Sequence, residues 1–305
     1  MVVWVRMVGL KGLKEWSNDL EKFPVIMTVP LNFLLNLIAL FPLFILIYAS
    51  QTDWSPSTGS WFKAHIVPGH NIIRMIGDSL FQTAILRTVA IVAVATIAEF
   101  ILGLILALLF VEEFRGRRVL VSLFLMPMMV IPAVSGYMYF MMFQGHGPIN
   151  RILSILTGTH WDVAWLTYPQ YALMAVILMD IWQWTPFMFL ILLSGMLALP
   201  PDPINAARVL GASEFTIFRR LMLPMMKRII MIALILRAIE CFKLMDGIYV
   251  MTLGGPGYAT QTISMWIYEA AFKYLDYGYV SQIALVIFVT MGIISWFAIK
   301  PLRGE

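Results

Sequence analysis

Charged side chains interrupt stretches of this chain that are otherwise apolar. A charge inside a membrane span is costly, so each such group needs a polar partner or water. Two sets of residues each share one helix face, because they recur at helical spacing. The two sets are Asp180, Gln183 and Trp184, and Arg237, Glu240, Cys241 and Leu244. Carboxylates, a guanidinium and an amide bind hydroxyl groups, and an indole packs against C–H faces. The pattern therefore predicts a site for a polar, sugar-like substrate in a water-filled cavity at mid-membrane.

Two alternative interpretations use the same charges differently. In the first, Arg237 and Glu240 neutralise each other, and Asp180 pairs with a partner subunit. In the second, Glu99, Asp180 and Glu240 relay protons in a stand-alone secondary carrier or channel that needs no ATPase. The substrate hypothesis expects Arg237→Leu to alter substrate range or uptake more than assembly.

The sequence contains no pattern that predicts catalysis by this chain. It has no Walker motif, no Ser-His-Asp arrangement and no HExxH sequence, and the glycine-rich residues 254–257 lack the Gly-Lys-Ser/Thr ending of a phosphate loop. None of the four histidines has a partner at metal-ligand spacing. The single cysteine excludes a disulfide within the chain. We expect no enzyme activity, no metal and no cofactor bound by this chain.

The composition is that of a polytopic membrane protein. Hydrophobic residues make up 61% of the chain and charged residues only 12%, with a mean hydropathy of +0.85. At about 20 residues per span, the apolar runs predict six transmembrane helices and an all-α fold. Pro127 and Pro132 are expected to break or kink the third span. The predicted spans are 25–48, 83–111, 119–143, 171–199, 229–253 and 279–299.

The distribution of positive charge predicts the orientation. Fourteen Lys and Arg residues fall in the N-terminal segment, the loops 112–118 and 200–228, and the tail, whereas the other loops hold four. Because cytoplasmic loops carry an excess of Lys and Arg, both termini are expected in the cytoplasm. The net charge of +4 is explained by this bias, so no nucleic-acid partner is expected.

A polar island, residues 205–224, separates the fourth and fifth predicted spans. A short helix is predicted up to Leu210, and Gly211 then allows the chain to bend. Ser213 can cap a second short helix, which Pro224 closes. The result is a cytoplasmic knob between two spans that suits a groove on a partner protein.

The island resembles the EAA loop of binding-protein-dependent ABC importer permeases. In that family, the loop is the coupling helix that docks on the ATP-hydrolysing subunit. The family's leading Glu is Asn205 here, and its usual Asp before the glycine is Leu210. The resemblance assigns ATPase coupling to Asn205, Ala206, Ala207, Gly211, Ala212, Phe218, Leu221, Leu223 and Pro224.

Two further stretches resemble the carbohydrate-type permeases related to the maltose system. They are Trp184-Thr-Pro186-Phe187 and the segment 252–278, which contains Gly254-Gly255-Pro256. This resemblance covers about Phe33 to Trp296. It implies the type-I importer fold with a cytoplasmic coupling helix and a sugar site mid-membrane. When the substrate-binding positions of that family are transferred to this sequence, they fall on the two helix faces described above.

The resemblance also implies the organisation and the partners of the chain. The expected domains are a cytoplasmic or interfacial segment 1–24, a permease domain 25–300 with a coupling loop 200–226, and a cytoplasmic tail 301–305. The expected function is passage of a sugar, neutral or acidic or phosphorylated, from an external binding protein across the cytoplasmic (inner) membrane of a prokaryote. Expected partners are a second homologous permease subunit, two ATPase subunits that hold ATP and Mg, the external solute-binding protein and membrane lipid.

Overall fold

The computed structural model describes residues 23–300, and in that range the chain is all-α, as predicted. Outside the helices, the described residues form one isolated antiparallel bridge, between Thr52 and Ile66. Most of the predicted segment 1–24 and the tail 301–305 lie outside the described residues. The helices are α1 (Phe23–Ser50), α2 (His70–Gly77), α3 (Ser79–Phe110), α4 (Arg117–Met129), α5 (Pro132–Met142), α6 (Pro148–Thr157), α7 (Pro169–Leu197), α8 (Pro201–Val209), α9 (Glu214–Ile217), α10 (Leu223–Met225), α11 (Lys227–Phe242), α12 (Asp246–Met251), α13 (Ile263–Phe272) and α14 (Tyr277–Ile299).

Four of these helices are long and apolar enough to cross a membrane. They are α1, α3, α7 and α14, and they correspond to the first, second, fourth and sixth predicted spans. The other two predicted spans are broken helices. The pair α4 and α5 passes the same test only when taken together and is bent by 92° at its break. Six spans are therefore consistent with the structure, although two of them are not single helices.

The two breaks have different causes. Pro132 begins α5 and cannot donate a backbone hydrogen bond to the turn before it, so the predicted break of the third span is confirmed. The prediction of one continuous fifth span is wrong: α11 ends at Phe242 after 16 residues, and α12 begins only at Asp246. Neither proline nor glycine lies in the intervening residues 243–245, so no residue in the sequence marks this second break.

Contacts divide the chain into two compact units, and the smaller contains α1 and the start of α14. The Asn71 amide donates to the carbonyls of Ser50 and Thr52, both at 2.9 Å, and thereby ties α2 to the end of α1. The Gln51 amide donates to the Gln282 side-chain oxygen at 3.2 Å. These buried polar contacts fix the segment that follows α1.

Of the described residues, the larger unit comprises 73–275 and 286–300, and it holds the main core. Helices α3 and α7 pack along much of their length, with Phe110 and Phe189 edge to face at 5.5 Å. The second halves of the broken spans, α5 and α12, also pack closely. A Cβ on Gly136 would lie 2.4 Å from the Gly247 carbonyl oxygen, so this contact requires glycine at position 136. The breaks are thereby held side by side.

Candidate functional site

Three helices place charged side chains in one buried cluster in the larger unit. Arg237 on α11 binds Glu99 on α3 through two hydrogen bonds, Nε to Oε2 at 2.5 Å and Nη2 to Oε1 at 2.8 Å. The same Nη2 donates to the Asp180 carboxylate on α7. The Cys241 thiol, one turn after Arg237, donates to Asp180 at 3.3 Å. We call Glu99, Asp180, Arg237 and Cys241 the ion cluster.

The ion cluster is enclosed within this chain. Each of its four side chains is at most 1% exposed. Taking charges out of water is expensive, and only a close geometry with several hydrogen bonds compensates for it. The planar guanidinium supplies that geometry, because its fork matches a carboxylate in two places. In this conformation, therefore, the cluster holds three helices together and cannot contact a substrate.

This pairing differs from both structural expectations drawn from the sequence. Arg237 pairs with Glu99 and Asp180 rather than with Glu240, and Asp180 finds its partner within the chain. Glu240 instead pairs with Lys243 at 2.9 Å, and the two side chains are 47% and 62% exposed. The sequence predictions missed Glu99 as a partner, since nothing in the sequence fixes which faces of distant helices meet.

Trp184 and Gln183 lie next to the ion cluster on α7. The Arg237 guanidinium carbon lies 5.3 Å from the centre of the Trp184 ring, so the cation supports one face of the half-buried indole. The Gln183 amide donates to the Val130 carbonyl at 2.7 Å, at the break between α4 and α5. Gln183 therefore satisfies a carbonyl freed by the break, in place of the helical bond that is missing.

The second break presents charge outward. Lys243 and Asp246 are exposed on this chain, at the end of α11 and the start of α12, and Glu240 lies one turn earlier. Lys243 is 16 residues after Lys227, so the two lysines lie about 24 Å apart along the helix direction at about 1.5 Å per residue. Charged side chains within a membrane span face a water-filled cavity or a protein partner rather than lipid.

The predicted substrate residues thus separate into two groups. Asp180, Gln183, Arg237 and Cys241 are buried and occupied by contacts within the chain. Trp184 and Leu244 are half-buried, and Glu240 is exposed. Only the second group has surface available to a ligand. Among the described residues, no group of three His, Cys, Asp or Glu side chains could hold a metal ion.

The segment predicted to couple to the ATPase, residues 200–226 and hereafter the coupling loop, has the two-helix form that the sequence predicted. Helix α8 ends at Val209, and Gly211 adopts a φ of +81°, a conformation that favours glycine. Ser213 caps α9, and its side chain accepts a hydrogen bond from the Thr216 amide. The Arg208 guanidinium spans the bend and binds both Glu214 carboxylate oxygens, at 2.8 and 3.1 Å. These hydrogen bonds lower the pKa of Glu214 below its ordinary value.

The second half of the loop differs from the prediction that Pro224 closes its helix. The chain continues through a π-helical turn, Phe218–Met222, in which the Leu223 amide donates to the Phe218 carbonyl, and then through α10. Pro224 has no N–H for the usual i−4 carbonyl, and the wider turn accommodates this without ending the helix. The helix therefore leads almost directly into α11.

Two faces of the coupling loop have different surroundings. Val209 and Leu210 are 87% and 86% exposed at the bend, and Phe215 is also exposed. Ile217 is buried, and Phe218 packs against the core between α3 and α7. The remaining predicted coupling residues are exposed (Asn205, Ala206, Gly211, Pro224) or half-buried (Ala207, Ala212, Leu221, Leu223). The loop thus presents an apolar tip outward and is anchored by its other face.

Comparisons with known proteins agree with this architecture. The profile of a family described as binding-protein-dependent transport system inner membrane component matches residues 99–300. A trehalose/maltose transport system permease protein MalF from Thermococcus litoralis is 40% identical over 72% of this chain and 74% of the relative. A sulfoquinovosyl glycerol transport system permease protein SmoG from Agrobacterium fabrum is 31% identical over 98% of this chain and 97% of the relative.

A solved structure is similar in fold at lower identity. It is a chain of a bacterial alginate ABC transporter in complex with an alginate pentasaccharide-bound periplasmic protein. The TM-score is 0.79 at 19% identity, and the match covers 93% of this chain and 95% of that chain. The likeness shows that this chain shares its overall fold with a chain of that transporter.

Proposed function

This chain belongs to the family of binding-protein-dependent transport system inner membrane components, and from that premise we propose that it is the membrane-spanning subunit of an ATP-driven sugar importer. It is a transport component rather than an enzyme. The observation that carries the sugar assignment is the similarity, over most of the chain, to relatives named for trehalose or maltose and for sulfoquinovosyl glycerol. Which sugar is carried, neutral or acidic, is decided by the path residues and by the external binding protein.

The proposed path runs along the exposed side of the break in the fifth span. Trp184 offers a flat apolar face for sugar C–H groups, Glu240 accepts hydrogen bonds from hydroxyls, and Leu244 closes the apolar side. Four buried residues support this path without touching the sugar: Asp180, Gln183, Arg237 and Cys241. Their hydrogen bonds hold the helices together, and Arg237 holds the Trp184 indole in place. A modest affinity suffices here, because the external binding protein captures the sugar first.

The proposed partners follow from the importer assignment. A second, homologous permease subunit closes the path opposite the exposed charges. Two ATPase subunits bind ATP and Mg, and their closure moves the coupling loop, with the apolar tip seated in a groove on one of them. Because Phe218 packs on the core between α3 and α7 and α10 leads into α11, movement of the tip reaches the second, fourth and fifth spans. The complex lies in the cytoplasmic membrane of a prokaryote with both termini inside.

The test is reconstitution of transport. Membranes expressing this chain are solubilised, and co-purifying ATPase and permease subunits are identified by mass spectrometry. The complex is then placed in proteoliposomes with its binding protein, and uptake is measured across a panel of neutral and acidic sugars. We expect uptake that requires both ATP and the binding protein and that stimulates ATP hydrolysis. Uptake by this chain alone, driven by a proton gradient without ATP, would instead establish the secondary-carrier alternative.

A further inference from the structure

Helix α6 carries an apolar face that nothing in the described chain covers. Ile152, Ile155 and Leu156 are 54%, 74% and 76% exposed, and their i, i+3, i+4 spacing puts them in one row. The opposite side of the helix is turned inward through Asn150 and Ser154. Such a two-sided helix is typical of the boundary between water and lipid.

The inward side fixes how α6 is oriented. The Asn150 amide nitrogen, within a side chain 1% exposed, donates to the carbonyls of Gln144 at 3.1 Å, Gly145 at 2.6 Å and Val163 at 2.8 Å. Its oxygen accepts a hydrogen bond from the Trp165 indole at 2.8 Å. These contacts tie the first turn of α6 to the two chain segments that lead to α5 and α7. The apolar row of α6 therefore has a fixed orientation and faces away from the helix bundle.

The neighbouring aromatic side chains indicate the depth of α6. The rings of Trp161 and Trp165 stack at 6.2 Å, and those of Tyr168 and Tyr171 meet edge to face at 5.8 Å. Tryptophan and tyrosine concentrate at both surfaces of a bilayer, where their polar edges meet headgroups. α6 is also too short to span the bilayer, because its 10 residues extend only about 15 Å. Its length and its aromatic neighbours therefore suit a position along the membrane surface rather than across it.

We propose that α6 is an interfacial anchor whose Ile152, Ile155 and Leu156 side chains insert among lipid acyl chains. Arg151, exposed beside this row, is placed to bind a lipid phosphate. The anchor holds the loop between the broken third span and α7 at a constant depth in the membrane. Those spans therefore move relative to a fixed loop. A soluble partner would need to reach a face at headgroup depth, which makes lipid the favoured occupant.

The experiment places a fluorescent probe on the row. The native cysteine is first removed by Cys241→Ser, because the serine hydroxyl can still donate a hydrogen bond to Asp180. In this background, Ile155→Cys is labelled with an environment-sensitive nitrobenzoxadiazole dye. The full complex is reconstituted in vesicles of phosphatidylethanolamine and phosphatidylglycerol, with or without brominated acyl chains. His160→Cys, an exposed position in the following loop, is the matched control.

We expect brominated lipid to quench the probe at position 155 at least threefold more than the probe at position 160, and iodide to do the reverse. Equal quenching of both positions by iodide would show that the row faces water and would overturn the proposal. Protection of position 155 from both quenchers would show that protein covers the row, which also overturns it. Ile152→Cys repeats the measurement independently of any local distortion at position 155. The outcome is independent of which substrate the complex carries.

Discussion

Arg237 is the residue on which the packing of three helices depends. Its guanidinium meets Glu99 in two places and Asp180 in a third, and all three side chains are enclosed. An enclosed pair tolerates replacement as a whole far better than removal of one member, because a single deletion leaves a charge buried without its partner. Helical spacing aligned Arg237 with Cys241 on one helix and Asp180 with Gln183 and Trp184 on another, but it did not predict that Arg237 pairs with Asp180. It could not identify Glu99, whose contact depends on how α3 lies against α11.

Removing the guanidinium should therefore damage assembly before it changes substrate choice. We expect Arg237→Met to lose about 3–5 kcal/mol of stability, seen as a large drop in monodisperse complex after detergent extraction. Arg237→Lys should recover only part of this loss, because an ammonium cannot reproduce the forked contact. Lys243→Met, at an exposed position, is the control and should extract normally. A well-assembled Arg237→Met complex with an altered sugar range would support the direct substrate role that the sequence first suggested.

The exposed pair Glu240 and Lys243 should show the opposite behaviour. Because both side chains are accessible, Glu240→Gln and Lys243→Gln should leave extraction yield unchanged. If they line the path, each should raise the KM for uptake severalfold, with a smaller effect on the ATPase rate without substrate. Lys273→Gln, an exposed lysine outside the path, should leave the KM unchanged. Wild-type KM values in both path variants would remove these residues from the proposed path.

Among the helices, the breaks show where sequence patterns suffice and where they do not. Pro132 predicts the first break, because the missing N–H and the fixed φ act locally. The second break, after Phe242, has no such local cause, and it depends on α12 packing against α5 at Gly136 and Gly247. In the coupling loop, Gly211 and Ser213 predict the bend for local reasons, whereas the π-helical turn arises from how Pro224 fits a continuing helix.

The bend at Gly211 permits a direct test of the coupling loop. A left-handed conformation costs a residue with a side chain about 1–2 kcal/mol, so Gly211→Ala should distort the apolar tip without adding charge. We expect ATP-driven uptake to fall at least tenfold. The complex should remain intact, and its rate of ATP hydrolysis should no longer depend on sugar. Gly158→Ala is a matched control, because Gly158 also has a positive φ, +68°, but lies in the loop after α6. Comparable losses in the two variants would indicate general strain rather than lost coupling.

For the molecule as a whole, composition and charge bias predict a six-span membrane protein, and the helices described are consistent with that number. What a single chain cannot specify is which of its exposed surfaces face lipid, water or another subunit. Ile97 on α3 and Lys243 after α11 are both exposed, yet an apolar and a charged side chain within membrane spans require different surroundings. We therefore assign each exposed surface from the chemistry of its side chains. Apolar positions face lipid or a partner subunit, and charged positions face the transport path.

That assignment predicts accessibility that changes with the transport cycle. In the Cys241→Ser background, Lys243→Cys should react with a membrane-impermeant maleimide added outside when the ATPases hold ATP without hydrolysing it. It should react at least tenfold more slowly without nucleotide, because an alternating-access path is open to one side at a time. Ile97→Cys, an exposed apolar position near the middle of α3, should remain unreactive in both states. Equal reactivity of Lys243→Cys in both states would mean that the break opens permanently to one side. The break would then form part of a static surface, and the moving path would have to lie elsewhere in the complex.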